Sequence, residues 1–182
     1  MINYLPISIL LLLVMAVRAQ SNLDCLTRSP VYGTNVNSFL ASDVSYLRSD
    51  AFDVTRMTVR KILVCGTRPQ LNGIRFILAD KDMTSFTDLT HVGQETSCSW
   101  WQIQKPETYF RRIELAYDAD GPTWIKVVTS TDYVLTRGEL KDTDSRVSFD
   151  YTPETPLIGL QAYETANSIK ALGFIRWECF EV

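Results

Sequence analysis

The sequence predicts an all-β single domain, and three observations carry that expectation. Apolar and polar residues alternate over short runs such as RRIELAY, and a 3.6-residue apolar stripe is hard to find. Turn-forming residues separate those runs at Thr67-Arg68-Pro69, Asp118-Ala119-Asp120-Gly121, and Pro153 with Pro156. At 182 residues the chain is long enough to bury a real core, and it shows no linker, low-complexity segment or exact repeat. Pattern alone leaves a sandwich, a trefoil and a prism open.

The N-terminus is read first. Ile7 to Val17 is continuously apolar apart from Ser8, and Val17-Arg18-Ala19 offers compact residues where a signal peptidase reads. The run is short for a membrane span, so residues 1–19 are expected to be a cleaved secretory signal and 20–182 the mature domain. An uncleaved anchor is the alternative. Losing Arg18 leaves 17 of the 18 basic residues against 21 acidic ones, a net charge of −4. Interspersed charges of both signs argue against nucleic acid or an anionic membrane as main partner.

Cys25, Cys65, Cys98 and Cys179 are even in number, which in an exported chain suggests two disulfides. Three pairings are open on sequence grounds. No C-x-x-C spacing occurs and His91 is the only histidine, so neither a zinc site nor a cofactor is expected. No N-x-[ST] sequon occurs.

Leu26 to Asp53 mixes small polar and single apolar residues, as short strands between turns do. Val54 to Asp80 is stronger. In VTRMTVRKILVCG, Met57, Val59, Leu63 and Cys65 fall on one face with Lys61 as the exception, and LNGIRFILAD groups Ile74, Phe76 and Leu78. Lys81 to Lys105 reads as a polar connection followed by a strand, SWWQIQ. Adjacent strand residues face opposite ways, so one of Trp100 and Trp101 is expected in the core and the other could stack on a sugar. His91 has no nucleophile-elbow, H-E-x-x-H or Cys-His signature around it, and no enzyme is expected.

From Pro106 the same grammar continues. Ile113, Leu115 and Tyr117 face inward, Arg112 and Glu114 outward, and Thr123–Thr131 forms the next strand. Asp118 and Asp120 lack the spacing and distal Glu of a calcium loop and read as solvated turn acids. RVSFDY follows the KDTDSR turn. Leu157 to Trp177, LIGLQAYETANSIKALGFIRW, then reads as two strands and a tight turn, with Ile169, Ala171, Gly173, Ile175 and Trp177 on one face. Leu172 and Phe174 fall on the other face, so the second strand is expected to be covered on both sides.

That last stretch, LIGL followed by I-x-A-L-G-F-I, resembles the C-terminal hairpin of jacalin-related lectins. LNGIRFI, and Gly33 followed by Phe39, resemble earlier parts of the same family. The resemblance implies a β-prism of three antiparallel sheets, with a β-sandwich as the alternative. It implies a first strand paired with the last, hence Cys25–Cys179 and with it Cys65–Cys98. It also implies a sugar site at the G-x-x-x-D loop, which here spans Ala166, Asn167, Ser168, Ile169 and Lys170, together with the glycine loop at Gly33. The loop's Gly and Asp are replaced by Ala166 and Lys170. A carboxylate accepts hydroxyl protons whereas an ammonium only donates, so Lys170 suits an acidic glycan better than a neutral sugar. The expectation is a secreted, non-enzymatic lectin-like module that binds a glycan or glycoprotein. The alternative is a structural protein of an extracellular coat, surface assembly or granule that has lost sugar binding.

Overall fold

The alternating runs pair into three hairpins, and each hairpin is the centre of its own sheet. β4 (Met57–Cys65) pairs with β5 (Gly73–Asp80), β9 (Phe110–Asp118) with β10 (Gly121–Thr129), and β13 (Leu157–Thr165) with β14 (Ser168–Trp177). This is a computed structural model, and it describes residues 25–34, 38–49, 52–53, 56–67 and 69–179. The expected signal peptide and the cleavage point before Gln20 lie outside the described residues. Among the described residues no helix is long and apolar enough to cross a membrane.

Shorter strands flank each hairpin. The first sheet runs β1 (Leu26–Arg28), β14, β13, β3 (Phe39–Ser42), with β2 (Tyr32–Gly33) added to β14. The second runs β6 (Phe86–Asp88), β5, β4, β8 (Cys98–Gln102), with β7 (Val92–Gly93) added to β5. The third runs β11 (Val134–Gly138), β10, β9, β12 (Ser145–Asp150). All pairings are antiparallel. The result is the expected β-prism.

Each sheet sends an aromatic ring to the shared core. Phe76 of the second sheet stacks on Phe174 of the first at 6.2 Å, and Phe149 of the third meets Phe174 edge-on at 5.0 Å. Ile74, Phe76 and Leu78 are fully buried together, as are Ile113 and Leu115, while Tyr117 is partly exposed and packs on Tyr32. Trp101 is the core tryptophan at 6% exposure; Trp100 is 51% exposed on an edge strand. The first sheet pairs β1 with β14, Leu26 opposite Trp177, and the disulfides are Cys25–Cys179 and Cys65–Cys98.

Two facing assignments change, for one physical reason. β4 shifts register between Val59 and Lys61, so Arg60 is a bulged residue with no partner on β5. Val59 therefore joins Ile62 and Val64 in the core cluster, while Lys61, Leu63 and Cys65 turn away from it. Lys61 is not an exception but the first residue after the bulge. In β14 the register shifts between Ala171 and Ile169, so Lys170 is bulged too. Ile169 thereby enters the core cluster with Leu172 and Phe174, instead of facing away from them.

The edges of the expected strands also move. β10 begins at Gly121, two residues before Thr123. The polar connection 81–105 contains β6 and β7, the 134–138 edge strand is new, and a single helical turn, α1 (Val44–Leu47), interrupts the N-terminal region. Arg137 on β11 donates to the carbonyls of Gly66 (2.8 Å) and Ser97, tying the third sheet to the turn beside Cys65–Cys98.

Candidate functional site

The three hairpin turns meet at one end of the prism. The Leu71 N–H donates to the Pro122 carbonyl at 3.0 Å, and the Gly93 N–H donates to Glu164 Oε2 at 2.6 Å. At this end β2, the start of β10 and the start of β14 run side by side. Gly33 pairs with Ala171, and the Thr34 N–H donates to the Lys170 carbonyl at 2.9 Å. Gly33 has φ +126°, and a Cβ there would collide with that same carbonyl oxygen. Gly121, at φ +132°, closes from the other side: a Cβ would lie 2.6 Å from the Ile169 oxygen. Only glycine satisfies both demands.

The structure thus brings Gly33 and Lys170 together although they lie 137 positions apart in the sequence. The expected five-residue loop takes a different form. Ala166 and Asn167 make a two-residue turn, both exposed, and Ser168, Ile169 and Lys170 already belong to β14. The turn's base is fastened by Thr165 and Ser168, whose hydroxyls lie 3.1 Å apart. Ile169 is 2% exposed, so its side chain is core and only its backbone borders the site. Lys170 is half-buried at its bulge, and among the described residues no carboxylate lies within ion-pair distance of its ammonium.

The Asp118–Gly121 turn forms the neighbouring wall, and the sequence had not connected it to the site. Asp118 Oδ1 accepts the Asp120 N–H at 2.8 Å, and its Oδ2 lies 3.5 Å from Lys141 Nζ. The carboxylate therefore shapes its own turn. Among the described residues no three His, Cys, Asp or Glu side chains converge as a metal requires. His91 sits apart from a nucleophile in a charge network: its Nε2 is 3.8 Å from Glu95, which pairs with Arg75 at 2.9 Å. Arg75 also lies over the Trp100 ring, 5.5 Å from its centroid, and covers one face of that ring.

Gly33→Ala should test how tightly this junction is built. The left-handed φ and the collision with Lys170 add, and a loss of about 1–3 kcal/mol is expected. Urea unfolding would measure it, and a change below the error of the midpoint would show that β2 can peel away.

No protein-family model matches the chain, and no curated protein matches it in sequence. Solved structures do match in shape. Frutapin, a lectin from Artocarpus incisa, superposes with a TM-score of 0.61 at 9% identity, over 84% of this chain and 97% of that one. A mannose-binding jacalin-related lectin from Ananas comosus gives 0.60 at 12% identity, over 84% and 98%. The lamprey immune protein gives 0.59 at 16% identity, over 86% of this chain and 45% of its own. The fold is a divergent jacalin-like β-prism.

Proposed function

We propose that this chain is a secreted, non-enzymatic carbohydrate-binding module whose site is the junction of Gly33–Thr34, Asp118–Gly121 and Ala166–Lys170, and that it takes an acidic glycan. The observation that carries the reading is Lys170. A bulge holds this cation, free of any carboxylate among the described residues, where two glycines bring neighbouring backbones against its carbonyl. Two structural neighbours are lectins of the same architecture, which supports sugar binding of some kind. Ala166, Asn167 and Ser168 offer backbone and side-chain donors at the turn, and the Lys170 ammonium supplies the positive end for a sulfate or uronate. Two disulfides fit an oxidising compartment, and residues 1–19 supply the export signal.

Three observations favour the second reading, a structural protein that has lost sugar binding. The turn is only two residues long, Ile169 is buried, and the acceptor carboxylate is replaced by Lys170. A glycan array that includes sulfated and uronic-acid sugars separates the two. Binding to acidic glycans that weakens with salt, and at least tenfold with Lys170→Ala, supports the lectin. Lys170→Asp combined with Ala166→Gly should instead shift the preference toward neutral hexoses. Silence from the wild type and both variants across the whole array would leave the structural protein standing.

A further inference from the structure

The opposite end of the prism holds a cavity of about 430 Å³. Its walls are largely apolar, built from Val59, Pro106, Phe110, Pro153, Pro156 and Leu157. They come from all three sheets, since β4, β9 and β13 all begin there. Such a size and lining suit a small organic molecule with one or two fixed polar contacts.

The polar contact is Arg60. The β4 bulge adds this residue to the strand without a partner on β5 and leaves its side chain 5% exposed in the cavity lining. Its guanidinium donates to the Thr108 carbonyl and, at 2.9 Å, to the Pro106 carbonyl. Nε, also buried, has no acceptor. Among the described residues no carboxylate forms an ion pair with Arg60. Carbonyl dipoles hold the group, and the exposed Glu107 acts on it electrostatically without pairing with it; a buried cation with no close counter-charge is costly. Two exposed charges of opposite sign, Lys81 and Glu107, also line the cavity, and among the described residues neither is in an ion pair.

We infer that this cavity is a second ligand site, for a small amphipathic carboxylate: an apolar body against the prolines, Val59, Phe110 and Leu157, and a carboxylate toward Arg60. A planar carboxylate matches the planar guanidinium edge better than an ammonium or a hydroxyl does, and Arg60 still has unused N–H donors for it. The inference does not rest on the proposed function, because the hairpin turns lie at the other end.

Calorimetric titration of the disulfide-intact protein with octanoate, and with 1-octanol as the neutral comparator, tests it. Octanoate is expected to bind saturably with one site, and octanol at least tenfold more weakly. Glu107→Gln should tighten octanoate severalfold by removing a like charge from the lining, and Lys81→Glu should weaken it severalfold. Arg60→Met should erase the preference for octanoate over octanol; if that variant does not fold, the Glu107 and Lys81 variants decide. No saturable binding of octanoate, equal affinity for octanol, or unmoved affinity in both the Glu107 and Lys81 variants would overturn the assignment.

Discussion

Replacing Cys25 and Cys179 together with serine should cost about 5 kcal/mol of stability on the chain-entropy model. The bond links residues 154 apart in sequence, so in its absence the unfolded chain regains almost the whole conformational freedom of the domain. The native state loses little: β1 is three residues long, and its register on β14, Leu26 to Trp177 through Arg28 to Ile175, stays available. The matching change at Cys65 and Cys98, 33 residues apart, should cost about 4 kcal/mol on the same model. Guanidinium unfolding of both double variants checks the order. A Cys65–Cys98 loss larger than the Cys25–Cys179 loss would mean that native packing at the β4–β8 pair outweighs loop length.

Asp43→Ala should lower stability by a further large step, about 2–4 kcal/mol. Asp43 is 1% exposed and anchors three segments. Its Oδ1 accepts the Thr90 N–H at 2.7 Å, its Oδ2 accepts the Leu160 N–H at 2.8 Å, and its own N–H donates to the Leu160 carbonyl at 3.1 Å. Alanine leaves both side-chain-bound N–H groups without their acceptor. Asparagine keeps one acceptor and turns an NH₂ toward the other N–H, so it should cost about 1–3 kcal/mol.

Burial pushes the Asp43 carboxyl above its ordinary value of 3.8, against the lowering effect of its hydrogen bonds. The folded state therefore holds this proton more tightly than the unfolded state does. The contribution from Asp43 is fully present below about pH 3.8 and is lost as pH rises through the raised folded value. Wild type should accordingly gain on Asp43→Asn as pH falls from neutral through that window. Paired urea titrations at several pH values show it as a widening gap, and a gap that narrows toward acid would contradict the raised pKa.

Strand type and hairpin pairing were legible because burial imposes alternation: Ile74, Phe76 and Leu78, or Ile113 and Leu115, can face the core only as a strand. The two bulges were written in the sequence less openly. Lys61 breaking an apolar face was the trace of one, and the three-residue spacing from Ile169 to Leu172 was the trace of the other. β11 escaped notice because an edge strand needs no apolar face, and Val134 there is 47% exposed. Asp43 and Arg137 escaped for another reason. Their partners lie in remote segments, Leu160 and Thr90 for one, Gly66 and Ser97 for the other, and such contacts exist only once the sheets have met. The candidate site is half legible: the family resemblance points to Gly33 and Lys170, whereas in the sequence Gly121 reads as an ordinary turn residue.

The pairing of β1 with β14 has a consequence for the order in which this chain can be made. During synthesis Cys25 emerges first, followed by Cys65, Cys98 and, last, its own partner Cys179. Until Cys179 has been made, the thiols within reach of Cys25 are the wrong ones, while Cys65 and Cys98 can close their short ladder early. Each of the three hairpins, by contrast, is contiguous in sequence and can form as soon as its own second strand has been made. Oxidative maturation must therefore hold Cys25 reduced or reshuffle it once Cys179 has been made, and a thiol–disulfide isomerase is expected to speed the closing of this bond far more than that of Cys65–Cys98.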